Sequence, residues 1–121
     1  MKKILIIDDD KDLVFGLSIR LKASGYAVTI ARDAIGAVSI AKKENPDLII
    51  LDLGLPGGDG FLVMDRLMNL STLIPVIVLS ARDPLSNKER ALNAGAVAYF
   101  QKPADNSELL SSIKKALGEE G

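Results

Sequence analysis

The sequence predicts an α/β fold in which a parallel five-stranded sheet lies between two layers of helices. Three observations predict it. Apolar runs of strand length alternate with stretches of helical period along the whole chain, five times over. Such alternation builds βα units, whose right-handed crossovers put helices on both faces of the sheet. The runs Leu48–Leu51 and Val76–Leu79 are apolar throughout, as strands covered on both faces must be. A length of 121 residues suits a single domain with one core.

The elements follow in order. Lys3–Ile7 reads as the first strand, ended by Asp8, Asp9 and Asp10. Leu13, Leu17 and Leu21 recur every fourth residue as the stripe of the first helix, which Gly25 stops. Tyr26–Ala31 is the second strand. Ile35, Val38 and Ala41 stripe the second helix, and Asn45-Pro46 ends it. Leu48–Leu51 is the third strand, and Val63, Leu67 and Leu70 stripe the helix after it. Asp59 is placed to cap that helix. Val76–Leu79 is the fourth strand. Asp83 followed by Pro84 is an N-cap with proline at the first helical position, and Gly95 closes the helix. That fourth helix has only Leu85 and Leu92 as large apolar residues, so it is the element expected to move. Val97–Phe100 is the fifth strand. Asp105 and Glu108 open the last helix in the manner of a capping box, and Leu109, Ile113 and Leu117 are its stripe. The expected arrangement is flavodoxin-like, a (βα)5 three-layer sandwich of strand order 2-1-3-4-5. It spans residues 1–118, and 119–121 form a polar, frayed tail.

Ligands of open α/β sheets bind beyond the carboxyl ends of the strands. Here those ends carry chemistry: Asp8 and Asp9 after the first strand, Asp52 after the third, Ser80 after the fourth, Lys102 after the fifth. Three converging acids repel unless a cation neutralises them, and Mg²⁺ takes such hard oxygen ligands. Glycine at position 54 would let a backbone carbonyl come close to that ion. An ammonium and a hydroxyl can bind the equatorial oxygens of a transferring phosphoryl group. Each residue also has a plainer reading. An acidic run is commonly a solvated strand end with a helix cap, Asp52 and Ser80 could be turn residues, Lys102 a solvated strand end, and Tyr99 an edge aromatic. It is the number of such groups on one rim that favours a site.

Composition narrows the chemistry. With no cysteine and no histidine, the chain has no disulfide, thiolate nucleophile, Ser-His-Asp triad or histidine metal site. The glycine-rich stretch Gly54–Gly60 lacks the lysine of a nucleotide-binding P-loop. A net charge of −1 gives no field that favours nucleic acid or an anionic membrane, and no apolar run has the length of a membrane span. These features fit a cytoplasmic protein that binds neither nucleic acid nor membrane directly.

The stretches KKILIIDDD, LDLGLPGGDGF, VIVLSA and GAVAYFQKP, in that order and at these spacings, resemble the receiver domain of two-component response regulators. The resemblance covers essentially the whole chain. It implies that Asp52 is the phosphoacceptor, that Asp9 and Asp52 bind Mg²⁺ with Asp8 acting through water, and that the Gly54 carbonyl completes the protein ligands. It makes Ser80 the switch hydroxyl, Ala81 the small neighbour of the phosphate, Tyr99 the switch aromatic and Lys102 the phosphate-binding lysine. Lys102-Pro103 would be a cis peptide. The donor would be a phosphohistidine on a sensor histidine kinase or phosphotransfer protein, and the change would reach an effector through the face of the fourth helix, fifth strand and fifth helix. Such a domain catalyses only its own phosphorylation and dephosphorylation. Val97 and Ala98 stand where one DNA-binding subfamily carries an acidic pair, which argues against that subfamily's charge-paired dimer.

Two other readings compete. Haloacid-dehalogenase-like phosphatases, Mg²⁺-dependent enzymes with an aspartate nucleophile, carry DxDx[TV] after the first strand. Asp8 and Asp10 mimic this, but Asp12 stands in the Thr/Val position and no cap domain is evident. The third reading is a pseudo-receiver, a binding module of the same fold that is never phosphorylated.

Overall fold

A computed structural model describes residues 1–71 and 73–119. Its sheet contains β1 (Lys3–Ile7), β2 (Ala27–Ala31), β3 (Leu48–Leu51), β4 (Val76–Ser80) and β5 (Ala98–Gln101). All pairings are parallel and the order is β2-β1-β3-β4-β5. The helices are α1 (Lys11–Ala23), α2 (Ala34–Glu44), α3 (Gly60–Leu70), α4 (Pro84–Asn93) and α5 (Asn106–Ala116).

Side-chain alternation along each strand divides the core in two. Ile4, Ile6, Leu48, Ile50, Ile77 and Leu79 face α1 and α5, where Val14, Leu17, Leu21, Leu109 and Ile113 close over them. Leu5, Ile7, Ile49, Leu51, Val76 and Val78 face the other way, under α2, α3 and α4. Each fully buried aliphatic chain contributes on the order of 1.5–3 kcal/mol, so the continuous runs Ile4–Ile7, Leu48–Leu51 and Val76–Leu79 together anchor the sheet.

The helix ends follow their sequence signals. Asp10, Asp33, Asp59, Asp83 and Asp105 each accept a backbone N–H in the first turn of the helix they precede. Gly25 and Gly95 take positive φ just beyond α1 and α4, and Asn45 does so at the end of α2.

Beyond one-residue shifts at the ends of β2, β4 and β5, three details differ from the sequence expectation. In α2 the buried stripe is Ala34, Ala37 and Ala41, while Ile35 is 80% exposed. Small residues let α2 lie close to the sheet, and that turns Ile35 outward. In α3, Leu70 is exposed, because the helix ends there and its last turn clears the core. At the other end of the chain, Glu119 is held to the body. Its Oε1 accepts a 2.6 Å hydrogen bond from the Tyr26 hydroxyl, and its N–H donates to the Lys114 carbonyl. The expected fraying at Glu120 and Gly121 lies outside the described residues. Among the described residues, no helix is long and apolar enough to cross a membrane.

Candidate acidic phosphoryl site

β1 and β3 are neighbours in the sheet, with Ile7 in register with Leu51. The residues that follow them therefore leave the sheet side by side. Asp8, Asp9 and Asp52 each bring a carboxylate oxygen to within 4.8 Å of the others. Asp8 and Asp52 are only 2% and 7% exposed, whereas Asp9 is open to solvent. Backbone N–H groups orient the two buried acids: Asp10 N–H donates to Asp8 Oδ1 (2.9 Å) and Gly54 N–H to Asp52 Oδ1 (3.1 Å).

Lys102 leaves the end of β5 and reaches across β4 to both acids. Its Nζ stands 2.9 Å from Asp8 Oδ2 and 3.2 Å from Asp52 Oδ2. The Lys102-Pro103 peptide is cis, and the Lys102 N–H donates to the Ser80 carbonyl at 2.8 Å. Four of the expected site residues are thus gathered at one spot. The donors are hard carboxylate oxygens of the kind Mg²⁺ takes, with one acid open to water, so the set fits that ion.

The remaining residues lie around the β4–α4 turn. Ser80 is buried and its Oγ accepts the Arg82 N–H at 3.2 Å. Ala81 is exposed on the turn. Tyr99 is buried, and its hydroxyl donates to the Arg82 carbonyl at 2.8 Å. Ser80 and Tyr99 therefore hold the two backbone polar groups of one residue, Arg82. That acceptor was hidden from the sequence, because a main-chain carbonyl leaves no residue signature. Gly54 is a milder case. A Cβ there would meet only Asp52 Oδ1, at an ordinary 3.8 Å, so its carbonyl does not need glycine to approach a ligand. The position that does need glycine is Gly60, whose Cβ would run into the backbone of Leu53.

The family model of the response regulator receiver domain matches residues 4–114. The chain belongs to that family. Among curated proteins, this receiver domain is 42% identical over 117 residues to the transcriptional regulatory protein KdpE of Mycobacterium tuberculosis, covering 97% of the present chain and 51% of KdpE. The chain spans about half the length of the curated relatives it matches. Among solved structures, a CheY-like response regulator receiver domain protein from Methanospirillum hungatei superimposes with a TM-score of 0.92 at 33% identity, covering 98% of this chain and 95% of that one. A response regulator from Burkholderia pseudomallei, solved with a phosphorylated aspartic acid and a calcium ion, gives 0.87 at 28% identity, covering 98% and 70%.

Electrostatics in this receiver domain follow from burial. Desolvation raises the Asp8 pKa above its usual 3.8, outweighing the Asp10 N–H and the Lys102 ammonium. Burial alone would lower the Lys102 pKa, but the hydrogen bonds and charges of Asp8 and Asp52 outweigh it and hold the ammonium above the ordinary lysine value. Burial also pushes the Tyr99 phenol up, so it stays a donor at neutral pH.

A stability prediction follows. Because folding raises the Asp8 pKa, the folded state binds that proton more tightly than the unfolded chain does. The stability this adds is complete below 3.8 and is lost as pH rises through the folded value. At neutral pH the ionised Asp8 opposes folding. Asp8→Asn keeps an acceptor for Asp10 and leaves Lys102 paired with Asp52. In metal-free buffer at pH 7 it is expected to raise the urea midpoint, with the gain shrinking as the solution is acidified. A midpoint equal to or below the wild type at pH 7 contradicts the assignment.

Proposed function

We propose that this receiver domain is a phosphorylation-dependent switch of a two-component phosphorelay, with Asp52 as the phosphoacceptor. The observation that carries this reading is the buried Asp52 carboxylate, shared with Asp8 across one ammonium and grouped with the open carboxylate of Asp9. The Burkholderia relative carries a phosphorylated aspartic acid and a divalent cation, which supports the same chemistry here.

An Asp52 oxygen attacks the phosphorus of a phosphohistidine on a partner kinase or phosphotransfer protein. The P–N bond breaks, and its electron pair stays on the departing imidazole. Lys102 moves from the Asp52 oxygen to the phosphoryl oxygens, where its charge stabilises the transition state. Asp8, Asp9 and Asp52, with the Gly54 carbonyl, would hold Mg²⁺, which when bound neutralises the acids and the charge of the transferring group. Hydrolysis of the acyl phosphate restores the carboxylate.

The switch is a shift of populations. A hydroxyl that accepts a hydrogen bond can also donate one, so Ser80 can keep the Arg82 N–H and bond the new phosphoryl oxygen, beside which Ala81 leaves room. A hydrogen bond to a charged group is worth about 1.5–3 kcal/mol, enough to move a two-state equilibrium roughly 10- to 150-fold. Tyr99 is already inward here, bonded to the Arg82 carbonyl. Phosphorylation would therefore stabilise this arrangement over one in which Tyr99 is released, and an effector would read it on the α4-β5-α5 face. The cytoplasm, where phosphorelay kinases act, is the compartment this role implies. Asp10 is engaged as the N-cap of α1, which weighs against the phosphatase reading.

Incubation with acetyl phosphate and Mg²⁺ tests the proposal. The intact mass is expected to gain one labile phosphoryl group, mapped to Asp52, and Asp52→Asn is expected to gain none. No adduct on the wild type would make the chain a pseudo-receiver. Repeated turnover of an aryl phosphate through Asp8 would favour the phosphatase.

A further inference from the structure

Apolar packing holds α4 lightly, with Ala91 as its one fully buried residue. Polar attachments supplement it. At the start of the helix, Ser80 and Tyr99 hold the backbone of Arg82. Near its end, Arg90 reaches across to α3, and its guanidinium carbon stands 3.8 Å from the centre of the Phe61 ring. At that separation the cation lies on the negative face of the ring and is attracted by its quadrupole. Phe61 is buried, and such an attraction strengthens as water is excluded. Arg90 makes no ion pair among the described residues. A cation in the last turn of a helix also favours the helix dipole, but that effect needs only the charge and does not seat it on a ring.

The place of Phe61 gives the contact its consequence. Phe61 follows Gly60, which abuts the backbone of Leu53, the residue after Asp52. It also shares one buried cluster with Ala91, Ala96 and Tyr99. The ring under Arg90 therefore belongs both to the segment that begins at Asp52 and to the apolar bed on which α4 and Tyr99 lie. With Arg90 withdrawn, α4 is left with Ala91 and the hold on Arg82.

We propose that Arg90 is a positioning residue of the switch: seated on the Phe61 ring, it clips α4 to the first turn of α3 and keeps the Arg82 turn, and with it Tyr99, in the inward arrangement. The inference rests on the reading of α4 and Tyr99 as the moving parts of a phosphorylation switch. It gives the phosphoacceptor segment a second connection to α4, separate from Ser80.

Fluorine NMR and amide hydrogen exchange test it. The chain has two tyrosines, so Tyr26→Phe protein labelled with 3-fluorotyrosine reports Tyr99 alone. Arg90→Met keeps the aliphatic stem and loses the charge. In that background it is expected to move the Tyr99 resonance toward its position in urea, and to speed exchange of the α4 amides roughly three- to tenfold. Arg90→Lys keeps a cation and is expected to stay within about twofold of the parent. Phe61→Leu removes the ring, and adding Arg90→Met to it is expected to change exchange by less than about twofold. Acetyl phosphate with Mg²⁺ is expected to return the Arg90→Met resonance toward the parent position, because Ser80 bonded to the phosphoryl group draws the same turn inward. A loss of packing unconnected with the switch would not be reversed in this way. Circular dichroism checks that each variant is folded, and should Phe61→Leu not fold, the contrast between Met and Lys at position 90 decides alone. The proposal is overturned if Arg90→Met leaves exchange and resonance unchanged, or if Arg90→Lys exchanges as fast as Arg90→Met. It is also overturned if Arg90→Met acts equally without the ring, which would leave only the dipole, or if a protein carrying the Asp52 adduct shows no return. Absence of any adduct on the parent counts against Asp52 as phosphoacceptor, while the exchange comparisons still decide whether Arg90 holds α4.

Discussion

Lys102→Ala is expected to slow phosphoryl transfer from acetyl phosphate to Asp52 by about 10²–10³-fold, the usual effect of removing one preorganised donor of charge stabilisation. The ammonium sits 3.2 Å from Asp52 Oδ2 and 2.9 Å from Asp8 Oδ2. It already stands beside the carboxylate proposed to carry the phosphoryl group, so its move onto the phosphoryl oxygens is a short one. Among the described residues it is also the one cation paired with the two buried acids. Lys102→Arg keeps the charge on a planar group that does not fit a point-charge position, and it is expected to recover only part of the rate. The measurement is the initial rate of adduct formation by intact mass with saturating Mg²⁺, alongside a thermal melt showing that the variant is folded. A folded Lys102→Ala domain within about threefold of the wild-type rate would remove Lys102 from the proposed chemistry.

The largest stability loss is expected at Gly60. An alanine Cβ there would overlap the backbone of Leu53. Leu53 is fully buried, and it follows Asp52 directly. Relief therefore requires moving main chain, not rotating a side chain. Overpacking costs about 1–3 kcal/mol where side chains can yield, and more where they cannot. Gly60→Ala is expected to reach roughly 3 kcal/mol or beyond, read as a fall in the urea midpoint. Any folded fraction is expected to accept phosphoryl groups poorly, because the displaced segment begins at the proposed nucleophile. A loss under about 1 kcal/mol would mean that the β3–α3 loop yields easily.

The two predictions differ in how visible their residues were. Lys102 stands out in the sequence because strand, lysine and proline come together, and because position at a strand end fixes position on the rim. Asp8, Asp9 and Asp52 were legible for the same reason. Gly60 was not. It is one of several glycines in Gly54–Gly60, and which of them faces another segment's backbone is set by how α3 docks. The stripe of α2 went astray through Ile35. Helical spacing identifies a set of residues on one face, but alanines at 34, 37 and 41 form a face equally well, and only close packing against the sheet chose it. The bond from Tyr99 to the Arg82 carbonyl was equally hidden, because it joins β5 to a turn after β4 through a main-chain atom.

The sequence by itself determined the alternation of strands and helices, the caps, the buried strands and the rim on which the acids, the hydroxyl and the lysine stand. These are local properties, written in hydrophobic period and in the residue that ends each strand. Tertiary structure alone decided which glycine is indispensable, which face of α2 is buried, where Tyr99 finds its acceptor, and how Lys102 divides itself between two acids. Those depend on how separate pieces of backbone meet, from Gly60 against Leu53 within one loop to Lys102 against Asp52 across the sheet, and such meetings exist only once the sheet has closed and the helices have docked on it.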